Sequence, residues 1–216
     1  MERKLCAFDS KYWLEHWAWT RDQADQSNPV KRYPSPAEKP HCYYLVDLWK
    51  RYARLILPKS RRLVGTWTFC ELWSWDAGFH EGRHNFIQAE KDDKTGELID
   101  RVEFIAEKCL LEPGFISGFK RKREPHEVFF PDTGSKVTGV PMGSDQLRQF
   151  AASNILYDEA AFQAELRASL QAASATGLSG GKVLNRIVLL TTANTGSHCQ
   201  KLVHGNADEE EVGVAA

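Results

Sequence analysis

Two spacings of apolar residues alternate along this chain. The short segments Leu55-Ile56-Leu57, Asn85-Phe86-Ile87, Glu127-Val128-Phe129-Phe130, Lys136-Val137-Thr138-Gly139-Val140, Asn154-Ile155-Leu156-Tyr157 and Arg186 to Leu190 are too brief for helices and predict strands. Longer stretches between them repeat at helical spacing. Thr66 to Trp75 carries large apolar residues on several faces, Thr95 to Leu111 places Leu98, Ile99, Val102, Ile105, Ala106 and Cys109 on one stripe, and Glu159 to Ala173 reads as a third helix. Pro131-Asp132-Thr133-Gly134, between two strand segments, has the residues of a hairpin turn. Strands separated by helices predict an α/β fold with a mostly parallel sheet flanked by helices. Such a sheet gathers its ligands at the carboxyl ends of its strands.

Residues 1–53 lack this alternation. They hold an aromatic opening (Phe8, Tyr12, Trp13, Trp17, Trp19), a proline-punctuated stretch from Pro29 to Pro40 that demands loop or extended backbone, and a helical run from Tyr43 to Arg54. Trp13 and Trp17 lie one helical turn apart and suit a packing stripe. The expected organisation is an N-terminal helical lead-in over 1–53 that packs on a core domain over 54–203. A disordered acidic tail follows over 204–216, beginning its charged run at Asp208.

Composition narrows the class. With 42% hydrophobic and 26% charged residues the 216-residue chain is an ordinary folding protein. No apolar run approaches the roughly 20 residues needed to cross a bilayer, so no membrane role and a cytosolic setting are expected. Five scattered cysteines without a CxxC pair read as reduced thiols, and His41-Cys42 and His198-Cys199 lack zinc-site spacing. The net charge of −1 excludes a generally basic polyanion binder, so any nucleic-acid contact rests on local patches. Lys120-Arg121-Lys122-Arg123, between a helix and the hairpin, is the densest such patch, although a solvated loop explains it as well.

Three segments carry candidate chemistry. The first is Pro58-Lys59-Ser60-Arg61-Arg62-Leu63-Val64-Gly65-Thr66-Trp67, a loop leading from strand into helix, where backbone N–H groups and the helix end attract phosphate. Thr66, at the start of the helix, offers a hydroxyl to a magnesium ion bridging two phosphates. Gly65 stands where the GxxxxGK[ST] pattern has lysine, and a basic surface turn fits the same residues. Gly180-Gly181-Lys182 contains a GK pair but is followed by Val183 and a strand, so it reads as a turn. The second segment is Ile155-Leu156-Tyr157-Asp158-Glu159, an apolar strand ending in two carboxylates. There Asp158 suits the magnesium shell and Glu159 suits polarising an attacking water, although paired acids also favour a helix start. The third is the turn-forming sequence Leu189-Leu190-Thr191-Thr192-Ala193-Asn194-Thr195-Gly196.

Taken in this order, over about Tyr33 to Gly196, these segments resemble the ATPase domain of tailed-bacteriophage terminase large subunits, the motor that packages viral DNA. The family often carries a deviant phosphate loop with its lysine at the front, which Lys59-Ser60-Arg61-Arg62 through Gly65-Thr66 resembles. The resemblance implies a P-loop NTPase fold of the ASCE/RecA-like kind. It implies ATP and magnesium as cofactors, with Lys59, Ser60, Arg61, Arg62, Gly65, Thr66, Asp158, Thr192 and Asn194 around the nucleotide and Thr66 and Asp158 at the metal. It further implies Glu159 as the base, and a relay of hydrolysis to motion through Thr192 and Asn194. Phe86 to Asp93 is similar to the family's second strand. Pro141-Met142-Gly143-Ser144-Asp145-Gln146-Leu147-Arg148-Gln149-Phe150 is similar to its G-x-[DN]-x-L-R-G segment, which would make Arg148 an arginine finger, with Gln149 in place of the usual glycine. The implied partners are double-stranded DNA, a portal protein, a small terminase subunit and further copies in a homo-oligomeric ring, all in the host bacterial cytoplasm. Apart from the acidic tail, no cluster of acidic residues follows Gly196 to support a two-metal nuclease, so the nuclease domain of full-length members is expected to be absent. A superfamily 2-like helicase is the enzymatic alternative, and it would need a second RecA-like domain. A non-catalytic nucleotide-binding remnant is the other alternative, to which Gly65 lends weight.

Overall fold

The computed structural model describes residues 1–22, 25–60, 64–143, 147, 151–176, 178–179 and 182–204. Arg61, Arg62, Arg148, Gln149, Gly180, Gly181 and the acidic tail from 205 therefore lie outside the described residues.

Helices α1 (Glu2–Phe8) and α2 (Ser10–His16) open the chain, the second capped by Asp9, whose carboxylate accepts from the Lys11 N–H at 2.9 Å. Strands β1 (Trp19–Arg21) and β2 (Val30–Arg32) pair antiparallel, which is how the proline-rich stretch satisfies part of its backbone. Helix α3 (Pro40–Arg51) starts on a proline, whose missing N–H costs nothing there, and ends on Lys50 and Arg51, which suit the negative end of its dipole. The expected helix over Tyr43 to Arg54 is thus displaced. Arg54 already belongs to β3 (Arg54–Pro58), because its guanidinium is drawn to the carbonyl (2.8 Å) and side-chain oxygen (2.9 Å) of Asn185.

Helix α4 (Gly65–Phe79) is longer than the apolar pattern suggested, and thirteen of its fifteen residues are buried, as a helix apolar on all sides requires. Strand β4 (His84–Gln88) leads to α5 (Asp92–Ile105), whose first turn carries Asp92 and Asp93 at the positive dipole end. The expected continuation of α5 to Leu111 is wound as a π-helix over Ala106–Leu111. Strands β5 (Lys120–Lys122), β6 (Glu127–Phe130) and β7 (Ser135–Val140) follow, then β8 (Asn154–Asp158). The helix expected over Glu159 to Ala173 is corrected. Glu159 sits in the left-handed region (φ 48°), the chain makes one 3₁₀ turn over Ala160–Phe162, and α6 (Leu166–Thr176) begins only afterwards. A left-handed residue cannot continue into an α-helix, so the break is set at Glu159 itself. Two short strands, β9 (Leu178–Ser179) and β10 (Lys182–Val183), form a small hairpin before β11 (Arg186–Thr191) and α7 (His198–Val203).

The main sheet runs β3-β11-β8-β4-β7-β6-β5, parallel from β3 through β7 and antiparallel over the last two pairings. Helices cover both faces. Ile87, Leu156, Val188 and Leu190 point toward the core of α3, α4 and α5, whereas Phe86, Ile155, Tyr157, Ile187 and Leu189 point toward α6 and Cys199. Burial on both faces is why these strands read as unbroken apolar runs. The N-terminal helices join the first core: Trp13 meets Phe79 edge-on at 6.3 Å, and Trp75 donates to the Cys6 carbonyl at 2.7 Å.

Two features of this core generate tests. A Cβ added at Gly139 would lie 2.6 Å from Thr95 Cγ2 and 2.9 Å from Ile99 Cγ1, because α5 packs directly on β7 there. Gly139→Ala is expected to destabilise the fold by about 1–3 kcal/mol, lowering Tm by roughly 2–4 °C per kcal/mol in thermal unfolding. An unchanged Tm would show that α5 can yield. Glu71, on α4, is fully buried, and neither carboxyl oxygen has a hydrogen-bond partner among the described residues. Burial pushes its pKa well above the ordinary 4.5, so the folded state keeps a proton that the unfolded chain releases above that value. Its contribution is full below pH 4.5 and is lost as the pH rises toward the folded-state value. Glu71→Gln should therefore raise Tm at pH 8 relative to pH 5; equal shifts at both would refute a protonated Glu71.

Candidate active site

Parallel register fixes which strand ends meet. Pro58 lies opposite Thr191, and Leu190 opposite Asp158, so β3, β11 and β8 finish side by side. Beyond them the Lys59 N–H donates to the Thr191 carbonyl at 2.8 Å, extending the ladder one residue into the loop. Helix α4 then starts under these ends, with Val64 as its N-cap in the left-handed region (φ 59°). Val64 and Glu159 are the non-glycine residues with positive φ among those described, and they flank the same spot. Each holds a conformation costing of order 1–3 kcal/mol, a cost that typically persists where the surroundings impose it at a functional site.

Five polar side chains converge there. Thr66 Oγ1 donates to Asp158 Oδ1 at 3.0 Å, and Lys59 Nζ reaches Glu159 Oε1 at 2.9 Å. The second oxygen of Glu159 accepts from both the backbone N–H and the hydroxyl of Thr192, each at 3.1 Å. Burial raises the pKa of Asp158, with the Lys59 charge and the Thr66 hydroxyl opposing. Burial also pushes Glu159 up, but hydrogen bonds from Lys59 and Thr192 outweigh it and hold the carboxyl below its ordinary value. Adjacent acids thus differ in character: one is drawn toward protonation, the other is kept ionised.

Other residues singled out by sequence fall around this cluster. Gly65 lies in the first turn of α4 against Leu190 and Lys59, where a Cβ would meet nothing closer than 3.5 Å, so the backbone there does not demand glycine. Ser60 is exposed in the loop. Asn194 donates to the Ala161 carbonyl at 2.9 Å and so ties the turn after β11 to the turn after β8. Two braces escaped the sequence reading. The Thr191 hydroxyl accepts from the Ala161 N–H at 3.0 Å, and the buried Gln163 donates to the carbonyls of Asp158 (2.9 Å) and Gln88 (3.3 Å), locking the turn after the acids to β4. Nothing in their spacing marks them: Thr191 ends β11, and Gln163 is a lone polar residue in the turn after β8. A cleft of about 190 Å³, bounded by Pro58, Ala161, Thr192, Asn194, Gln200 and His204, opens beside Thr192.

The donor set suits magnesium. A hydroxyl and a carboxylate side by side are hard oxygen ligands, and magnesium is usually held by one or two carboxylates together with phosphate oxygens and water. Among the described residues no group of three or more His, Cys, Asp and Glu side chains could form an all-protein metal cage.

No family model matches the chain, and no curated protein matches it in sequence. Solved structures match it in fold. The large terminase of bacteriophage HK97 has a TM-score of 0.64 at 10% identity, over 95% of this chain and 42% of that one. A mutant of the Thermus phage P74-26 large terminase ATPase domain gives 0.53 at 16%, over 68% and 62%, and the large terminase of a thermophilic bacteriophage gives 0.51 at 14%, over 76% and 38%. The fold is therefore an α/β fold shared with these phage large terminases, and the chain spans less than two thirds of the length of each of these structures. No described helix is long and apolar enough to cross a membrane.

Proposed function

We propose that this chain is the magnesium-dependent, ATP-hydrolysing motor domain of a tailed-bacteriophage terminase large subunit, which drives double-stranded DNA into a capsid. The observation that carries the reading is the meeting of Lys59, Thr66, Asp158, Glu159 and Thr192 at the carboxyl ends of three adjacent parallel strands. That is the place where an open α/β sheet binds phosphorylated ligands. The likeness of fold supports it.

Each residue then has a task. The Lys59 ammonium, on the loop, neutralises phosphate oxygens from the front. Thr66 and Asp158 would hold a magnesium ion, which when bound screens the charge on bridging phosphate oxygens. Glu159 is ionised at neutral pH, as its lowered pKa requires, and orients a water and accepts its proton. For that it must exchange Lys59 for the water, so the 2.9 Å ion pair opens as nucleotide enters. Because the other Glu159 oxygen is held by Thr192, a shift of Glu159 pulls on the turn after β11, which is the physical route by which hydrolysis moves the surrounding loops. Arg148 is the candidate finger toward a neighbouring copy in a ring; portal protein and small terminase subunit are the proposed partners, in the host bacterial cytoplasm.

Glu159→Gln should still bind ATP while phosphate release falls about 10²–10⁴-fold, the usual contribution of a general base. Lys59→Ala should weaken both nucleotide binding and turnover. Normal turnover in the first variant would remove Glu159 as the base, and unchanged nucleotide affinity in the second would return the loop to a plain basic turn.

A further inference from the structure

Cations on the outer face of α5 divide into two sets. Three of the four cations in the basic run that stands out in sequence are paired with acids. Arg121, only 8% exposed, bridges Asp100 (2.9 Å) and Glu103 (3.3 Å), Arg123 reaches the same two acids (2.7 and 3.5 Å), and Lys122 pairs with Glu127 (3.0 Å). Arg121 and Lys122, on the edge strand β5, and Arg123 just after it staple that edge to α5 and β6, which leaves little charge for an outside partner. Arg21 and Arg101, by contrast, form no ion pair among the described residues.

They are instead stacked on aromatic rings. The Arg21 guanidinium lies 4.2 Å from the Phe104 ring centroid, Phe104 meets Trp67 edge-on at 6.0 Å, and Arg101 lies 5.4 Å from the Trp67 ring. Together with Glu97 and Asp100 they line an open groove of about 220 Å³ between the β1–β2 hairpin and α5. Both acids in the groove already have partners elsewhere: Glu97 pairs with Lys94 at 2.7 Å, and Asp100 with Arg121 and Arg123. On β1, the Trp19 ring also carries Arg32 at 5.1 Å and Lys108 at 5.3 Å, the latter paired as well with Glu112 at 2.6 Å. A guanidinium lying on a ring keeps its in-plane N–H edge free and loses little freedom on forming a bidentate bond to phosphate.

We propose that this groove is a nucleic-acid backbone site, in which Arg21 and Arg101 each hold a phosphate of a DNA duplex. Among the described residues no Asn or Gln lines it, and contacts made to phosphate carry no base information, so recognition is indifferent to sequence. Trp67 directly follows Thr66, so an occupied groove presses on the first turn of the helix that carries the metal-site hydroxyl. The inference rests on the motor reading for the duplex as ligand, and its geometry does not depend on ATP turnover.

The test is binding of a fluorescent mixed-sequence DNA duplex, without nucleotide, over a series of KCl concentrations. Each phosphate contact contributes about 0.9 to the slope of log affinity against log salt. Arg21→Gln with Arg101→Gln should lower that slope by about 2 and weaken binding at least about tenfold at ~0.1 M salt, equally for two unrelated sequences. Glutamine keeps a stem to pack on the rings, and single variants with unchanged Tm should each remove about half of the slope change. A charge-matched Lys4→Ala/Lys50→Ala control should lose much less. The proposal is overturned if the wild type binds no duplex, if the slope is unchanged, if the control loses as much, or if a polyglutamate peptide competes as well as DNA. Nucleotide binding measured on the same proteins separates the readings. Intact ATP binding with an unchanged slope sinks the groove alone; the predicted slope change in a protein that binds no ATP sinks the motor and keeps the groove.

Discussion

Everything at the candidate site depends on the parallel register of β3, β11 and β8. Because Pro58 stands opposite Thr191 and Leu190 opposite Asp158, one end of the sheet gathers a loop lysine, a helix-start threonine, two carboxylates and the turn after β11 within hydrogen-bond reach. A slip of one residue in β8 would reverse the faces of Ile155, Leu156 and Tyr157 and carry Asp158 away from Thr66. The packing of Leu156, Val188 and Leu190 on one face and Tyr157, Ile187 and Leu189 on the other forbids that slip, so the two apolar cores hold the polar cluster in place.

The cluster is held under tension. Glu159 and Val64 both adopt left-handed backbone that their side chains disfavour, and Asp158 carries a burial penalty relieved only in part by Lys59 and Thr66. Ion pairing of Lys59 to Glu159 ties the loop to the end of β8, and Thr192 ties Glu159 onward to β11. Gln163 and Thr191 brace the same turn from behind. On the proposed reading, a phosphate entering this set exchanges partners with groups that are already positioned, which is the kind of preorganisation that phosphoryl transfer draws on.

Much of this was legible in the chain. Strands such as Asn154–Asp158 and Arg186–Thr191 declared themselves because burial on both faces leaves no polar interruption, and the alternation with helices gave the parallel sheet. The break after β8 was not legible, since Ala160, Ala161 and Phe162 continue a helix-like apolar spacing and only the backbone angle at Glu159 ends it. Nor was the pairing of Lys59 with Glu159, which spans one hundred positions. The basic run Lys120 to Arg123 drew attention by its density, yet Asp100 and Glu103, three residues apart on α5, neutralise its two arginines, whereas Arg21 and Arg101 are isolated in sequence and meet only through Phe104 and Trp67.

The central claim is that Lys59, Thr66, Asp158 and Glu159 surround one triphosphate. A crystal structure of the protein grown with magnesium and a non-hydrolysable ATP analogue tests it most directly. The account predicts the γ-phosphate within hydrogen-bond distance of Lys59 Nζ, the ion between Thr66 and Asp158, and Glu159 parted from Lys59. An analogue bound elsewhere, with the Lys59–Glu159 pair intact, would contradict it.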